Sequence, residues 1–139
     1  MLTHHTVVWL DHVEARIIHF TVDSSEEKIV KSTSTHPHLH VKSGHVGGGR
    51  SAENTDYFKK ILETLHESVE ILLMGPGNEK NELMKYAKTH QHLIAEKIVA
   101  TLTADHPTDP QLLAFAKKYF VARDRMNADP VEALSESGN

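Results

Sequence analysis

The chain has 139 residues, of which 39% are hydrophobic and 24% charged, and its formal net charge at pH 7 is −4. This composition is typical of one soluble domain large enough to bury a core. The absence of cysteine excludes disulfides, thiol catalysis and thiolate metal sites, and no apolar run approaches the ~18 residues of a membrane span, so we expect a cytoplasmic protein.

Two short apolar runs open the chain. Residues 6–11 (TVVWLD) are typical of a strand that is buried on both faces. Residues 14–21 (EARIIHFT) alternate as a hairpin partner does, with His12 and Val13 at the turn. A weaker third strand is predicted over residues 28–33.

Helical spacing of apolar residues begins after a long polar segment. From Tyr57 to Val69 the spacing predicts a helix, with Ser51 as its N-cap. Strand, helix and strand are then predicted over residues 70–75, 77–90 and 97–103. The last helix is predicted to begin with Asp109 as cap and Pro110 in its first turn, and to end near residue 120.

This order of elements indicates the fold class. Three strands are followed by helix, strand, helix, strand and helix, which is an antiparallel meander continued by crossovers. We predict an α/β, ribonuclease-H-like fold with a five-stranded mixed sheet and helices on both faces, forming a single domain over residues 1–121. Residues 122–139 have few apolar side chains, a proline and an acidic excess, which predicts a flexible acidic C-terminal tail.

A basic, glycine-rich segment precedes the first predicted helix. Gly47, Gly48 and Gly49 stand directly before Arg50, and residues 31–60 hold five basic against two acidic side chains, a net +3. Glycine loses more backbone entropy on ordering than any other residue, so a run of three is costly unless the backbone must approach something closely. The pattern predicts a mobile basic loop.

Two other sets of side chains are candidate sites. Two-metal nucleases hold carboxylates near strand ends; here Asp11 ends the first strand and Glu53 opens the first helix, but the strand over 70–75 offers no acid at its exit. Asp105 and His106 follow a strand and suit an acid–base pair, although capping of the last helix also explains them.

The histidine-rich stretch HPHLHVKSGH is a third candidate site. It holds His36, His38, His40 and His45, and an extended backbone would place His38 and His40 on one face, where imidazoles bind divalent metals. The stretch supplies neither a fixed backbone nor partners for the rings. We therefore expect no metal site there and no cofactor.

A family resemblance rests on the glycine segment and its surroundings. GGRSA (48–52), after the basic HVKSGHV and before a helix, resembles the GGQSA loop and helix in the middle domain of the class-one release factors of archaea and eukaryotes. VVWLDHVEARIIHF, VEILLMGPGNEKNELM and KIVATLTADHPTDPQLLAFAKK extend the resemblance to about residues 5–120. Small stand-alone bacterial relatives, some labelled translational machinery proteins and some grouped with host-attachment proteins, are also similar. The resemblance implies the fold described above.

One residue departs from the pattern of that family. Release factors use the glutamine of this loop to place a water against the ester of peptidyl-tRNA, and Arg50 stands at that position here, after the matching Gly48 and Gly49. Arginine has five donors and no acceptor, so it cannot hold a water through a carbonyl. It is suited instead to bidentate phosphate contact. The resemblance thus implies RNA binding without peptide-release catalysis.

The predicted site and partners follow from this comparison. The predicted RNA-binding residues are Lys42, His45, Gly47, Gly48, Gly49, Arg50 and Ser51; no residue is assigned as catalytic. The expected partner is the ribosome or a structured RNA such as tRNA or rRNA. Two alternatives stay open: a hydrolase, acting on the peptidyl-tRNA ester or through histidine-bound metal, and a protein-interaction or attachment factor. The length makes a complete termination factor unexpected.

Overall fold

A computed structural model of the chain describes residues 4–32 and 47–137, with only the backbone described over 47–54 and 127–137. Its five strands form one sheet in the order β3-β2-β1-β4-β5. The strands are β1 His4–Leu10, β2 Glu14–Phe20, β3 Ser25–Lys31, β4 Ser68–Gly75 and β5 Ile98–Thr103. The first three pair antiparallel, and β4 and β5 run parallel to β1, so the sheet is mixed.

Helices follow β3, β4 and β5 along the chain. They are α1 Gly47–Glu63, α2 Glu79–His90, α3 His92–Ala95 and α4 Asp109–Ser137. Parallel strands cannot be joined by tight turns, so the path from β4 to β5 passes through α2 and α3. The α/β class and the five-stranded mixed sheet predicted from the sequence are confirmed.

Strand position explains the hydrophobic pattern of each strand. β1 and β4 lie inside the sheet, and their runs Thr6 to Leu10 and Ile71 to Gly75 are buried, as a strand with both faces covered requires. β3 lies at the edge, and six of its seven residues are exposed. Its glutamates and lysines are typical of an edge that must not pair with another chain.

One face of the sheet carries a continuous apolar core. Alternate residues of β1, β2 and β4 pack there with α1, α2 and α3. The α1 residues of this cluster are Tyr57, Phe58, Ile61 and Leu62, followed by Leu65. Burial of an aliphatic or aromatic side chain of this size contributes ~1.5–3 kcal/mol, so α1 is held to the sheet by several such contributions.

The chain divides into two compact units, Met1–His106 and Pro107–Asn139. In the second unit the Thr108 N–H donates to Oε1 of Gln111 (2.9 Å), and the Gln111 N–H donates to Oγ1 of Thr108 (3.2 Å). This is a reciprocal capping box. The predictions that Asp109 caps this helix and that Asp105 and His106 serve its capping are therefore wrong, because Thr108 occupies the cap and Asp109 is the first helical residue.

The last helix is longer than predicted. It continues past residue 120 to Ser137. Alanine, arginine and methionine within residues 122–126 have high helix propensities, whereas Pro130 disfavours the helix that continues through it. The predicted domain boundary at 121 falls inside α4, and the flexibility of the tail stays a prediction. Among the described helices, none has a stretch sufficiently long and apolar to span a membrane.

Candidate functional site

The predicted RNA-binding residues are only partly described. Gly47, Gly48, Gly49, Arg50 and Ser51 form the beginning of α1, with helical backbone throughout. Lys42 and His45 lie outside the described residues, as do His36, His38 and His40 of the histidine-rich stretch. The structure thus places five of the seven predicted residues on one helix terminus.

The start of α1 differs from the sequence prediction. The glycine run was predicted to be a loop ending at Arg50, with Ser51 as the N-cap, whereas the helix already begins at Gly47. Glycine has a helix propensity ~1 kcal/mol below that of alanine, and serine is a favoured cap, so local signals place the start one turn too late. The predictions of a loop over residues 47–50 and of a helix cap at Ser51 are therefore wrong.

A helix that begins with three glycines presents an unusual surface. The first four N–H groups of any helix lack partners within it, and the aligned peptide dipoles add about half a positive charge there. The first turn of α1 contains no acidic residue to offset that charge, and glycine has no Cβ to cover the N–H groups. These are the properties that let a helix terminus accept phosphate oxygens.

Tyr57 ties α1 to the end of β1. Its side chain is buried, and its Oη donates a hydrogen bond to the carbonyl oxygen of Asp11 at 2.8 Å. Burial, with a smaller contribution from the Asp11 charge, raises the pKa of the Tyr57 phenol, so it stays protonated and remains a donor. Residues 47–56 precede this anchor and amount to about 15 Å of helix.

Asp11 also organises the turn after β1. Its Oδ1 accepts hydrogen bonds from the backbone N–H groups of Val13 (2.8 Å) and Glu14 (3.0 Å). Its Oδ2 lies 3.7 Å from Nε2 of His106, which follows β5. From the sequence, Asp11 and His106 were predicted as members of separate pairs. Their contact could not be predicted, because only the parallel pairing of β1, β4 and β5 brings the two strand ends together.

The nuclease hypothesis gains no support from this edge of the sheet. The exit of β4 consists of Gly75, Pro76 and Gly77 and carries no carboxylate. The Glu53 side chain lies outside the described residues. Within the described part of the chain, Asp11 is the carboxylate that follows β1, and its Oδ2 lies 3.7 Å from Nε2 of His106.

A second polar cluster lies at the opposite end of β1. The Thr6 hydroxyl, which is buried, is 2.9 Å from Nδ1 of His19 and within hydrogen-bond distance of the Ser68 hydroxyl. The rings of His4 and His19 meet edge to face with centroids 4.9 Å apart. Burial, followed by the charges of His4 and Lys28, lowers the pKa of His19 below its ordinary value, against smaller opposing contributions from Glu26 and Glu67.

Replacement of His19 by asparagine is expected to reduce the pH dependence of stability. A histidine whose pKa is lowered by folding binds a proton more readily in the unfolded chain. Its contribution is complete above about pH 6.5 and is lost as the pH falls toward the lowered pKa. Urea unfolding between pH 7.5 and 5 should show a smaller loss of stability in His19→Asn than in the natural protein. The exposed His66, changed to asparagine, is the control, and equal slopes in all three proteins would contradict the expectation.

Solved structures with a similar fold include two Pelota proteins and an archaeal translation termination factor. Pelota from Archaeoglobus fulgidus has a TM-score of 0.59 at 13% identity over 96% of this chain. Pelota from Thermoplasma acidophilum has a TM-score of 0.56 at 21% identity over 84% of this chain. The archaeal translation termination factor aRF1 has a TM-score of 0.54 at 12% identity over 97% of this chain. The chain has a release-factor-like fold. At these identities, the likeness establishes the fold alone.

The release-factor-like fold accounts for part of each of those proteins. This chain spans 38%, 32% and 42% of the three structures respectively. No protein-family model matches the sequence, and no curated protein matches it significantly. The support for the predicted architecture comes from the solved structures with a similar fold.

Proposed function

We propose that this chain is a release-factor-like domain that binds the ribosome or a structured RNA through its basic glycine segment, without catalysing peptide release. The contacting residues would be Lys42, His45, Gly47, Gly48, Gly49, Arg50 and Ser51. The observation that carries the proposal is the start of α1, where three glycines and an arginine form a helix terminus with no acidic side chain in its first turn.

Physical chemistry favours phosphate as the group recognised there. The first N–H groups of a helix, which have no partners within it, and the positive end of the helix dipole attract an anion, and the arginine adds a planar fork of donors. The anchor of Tyr57 on Asp11 and the buried apolar side chains that follow it hold α1 on the sheet. A nucleic acid would therefore contact the first turns of a helix that is packed on the sheet from Tyr57 onward. The fold shared with translation factors supports a translational target.

Arg50 argues against hydrolysis at this site. The release-factor loop uses a glutamine at the matching position, and a side-chain amide both donates and accepts. A guanidinium offers donors only, so it has no oxygen with which to orient an attacking water. The same side chain forms charge-assisted hydrogen bonds with phosphate, which favours binding as the function of the segment.

Co-sedimentation with ribosomes at increasing salt tests the proposal. Binding through phosphate contacts should weaken steeply as salt rises. Arg50→Ala should weaken binding by about 1 to 3 kcal/mol, the size of a lost charged hydrogen bond, and flatten the salt dependence. Arg50→Lys should restore part of the loss, because an ammonium keeps the charge without the planar fork.

The controls separate this site from general attraction to RNA. Arg125 is exposed on α4, and Arg125→Ala removes the same charge from another surface, so its binding should stay near that of the natural protein. Arg50→Gln rebuilds the release-factor tip; appearance of peptidyl-tRNA hydrolysis in that variant would support a hydrolase ancestry. Unchanged binding in both Arg50→Ala and a Gly48→Ala/Gly49→Ala double variant, with the fold intact, would overturn the proposal.

A further inference from the structure

The geometry at the carboxyl ends of β1 and β5 points to a binding site for a divalent transition-metal ion, with Oδ2 of Asp11 and Nε2 of His106 as its protein ligands. These atoms lie 3.7 Å apart. Zinc and similar ions bind imidazole nitrogen and carboxylate oxygen at about 2.0–2.2 Å, so two such ligands at tetrahedral angles are about 3.4 Å apart. A shift of a few tenths of an ångström would bring this pair to that separation.

A carboxylate lies beside the other nitrogen of His106, as is usual for metal-bound histidines. Its Nδ1 lies 3.4 Å from Oδ1 of Asp105. This is an ion-pair distance, slightly longer than a hydrogen bond. A shift of a few tenths of an ångström would let the carboxylate accept the Nδ1 proton, which would direct the Nε2 lone pair outward and make it a better ligand. The two nitrogens of the His106 ring thus face two different carboxylates. Nδ1 lies near Asp105 and Nε2 lies near Asp11.

Trp9 fixes the backbone that carries the histidine. Its indole Nε1 donates to the carbonyl oxygens of Ala104 (3.2 Å) and Asp105 (3.0 Å), the two residues that precede His106. The Trp9 and His106 rings also contact each other, with centroids 4.9 Å apart. Trp9 is itself buried, and the Arg16 guanidinium lies 4.7 Å from the centre of its ring.

Asp11 is equally well positioned. Its Oδ1 is occupied by the N–H groups of Val13 and Glu14, which fixes the carboxylate and leaves Oδ2 toward His106. His106 remains substantially exposed, so an ion and its remaining water ligands have access from solvent. Both ligands therefore stand on backbone that is held by hydrogen bonds.

The single tryptophan makes the site measurable. Cu²⁺ bound to Nε2 of His106 would lie close enough to quench Trp9 fluorescence, and Cu²⁺ has the highest affinity for such ligands among divalent first-row ions. We expect quenching near one equivalent of Cu²⁺ in the full chain, reversed by excess Zn²⁺, which competes for the ligands without quenching. His106→Asn should need at least tenfold more Cu²⁺ for the same quenching.

Two further variants control the experiment. Asp11→Asn keeps the oxygen that caps the turn while removing the charge, so it should weaken Cu²⁺ binding without unfolding the hairpin. The His92–Glu96 pair has a similar nitrogen-to-oxygen distance, 3.5 Å, on α3, and His92→Asn should leave the quenching unchanged. Equal quenching in His106→Asn and the natural protein, or no quenching at all, would overturn the metal site. RNA binding is measured separately, so failure here leaves the proposed function standing.

Discussion

Replacing Gly75 with alanine is expected to lower the free energy of unfolding by about 3 kcal/mol, the upper part of the range for an overpacked interior. Gly75 ends β4 beside the end of β1, and a Cβ built there would overlap the carbonyl oxygen of Leu10. The obstacle is backbone, so no side-chain rotation relieves it. The carbonyl of Gly75 also accepts a hydrogen bond from the Ala104 N–H (3.0 Å), which ties β4 to the chain after β5.

The neighbouring glycine is the matched control for this substitution. A Cβ at Gly77 would have no atom within 4 Å, and none of the described glycines has a positive φ. Gly77→Ala should therefore be neutral, or stabilise by a few tenths to 1 kcal/mol through the unfolded chain. Urea unfolding of both variants measures the difference. Similar stabilities for the two alanine variants would show that the contact with Leu10 relaxes freely.

Replacing Leu62 with alanine is expected to cost about 3 kcal/mol, within the usual range for truncating a buried leucine. Leu62 is 1% exposed and belongs to the cluster that holds α1 on the sheet. Truncation removes buried apolar surface and leaves a cavity that surrounding side chains fill only in part. Because α1 carries the glycine terminus, the same variant should also weaken ribosome binding at temperatures near its unfolding midpoint.

An exposed leucine is the control for the loss of stability expected in Leu62→Ala. Leu93 on α3 is 74% exposed, so Leu93→Ala removes the same atoms with little change in buried area. Its effect on the unfolding free energy should stay within about 0.5 kcal/mol. Thermal and urea unfolding of the pair test the assignment of α1 to the core. A loss below 1 kcal/mol for Leu62→Ala would contradict it.

Local pattern predicted most of the architecture because each signal is carried by neighbouring residues. The continuous apolar run from Thr6 to Leu10 reports burial on both faces, and the helical spacing from Tyr57 reports one apolar face, whatever the rest of the chain does. The predicted ends of helices differ from the structure where the helix preferences of neighbouring residues conflict. The start of α1 at Gly47 and the end of α4 at Ser137 both extend beyond the predicted limits.

The sequence by itself determined the order of the strands and the three longer helices, and the basic glycine segment that ends in Arg50; that Arg50 stands at the position of the release-factor glutamine stays a prediction. Only the tertiary structure decided that Asp11 meets His106, that Tyr57 donates to the Asp11 carbonyl and that Gly75 must lack a side chain. The physical reason is distance along the chain. Periodicity and capping depend on residues a few positions apart, whereas these contacts join strand ends that only the pairing of β1, β4 and β5 brings together.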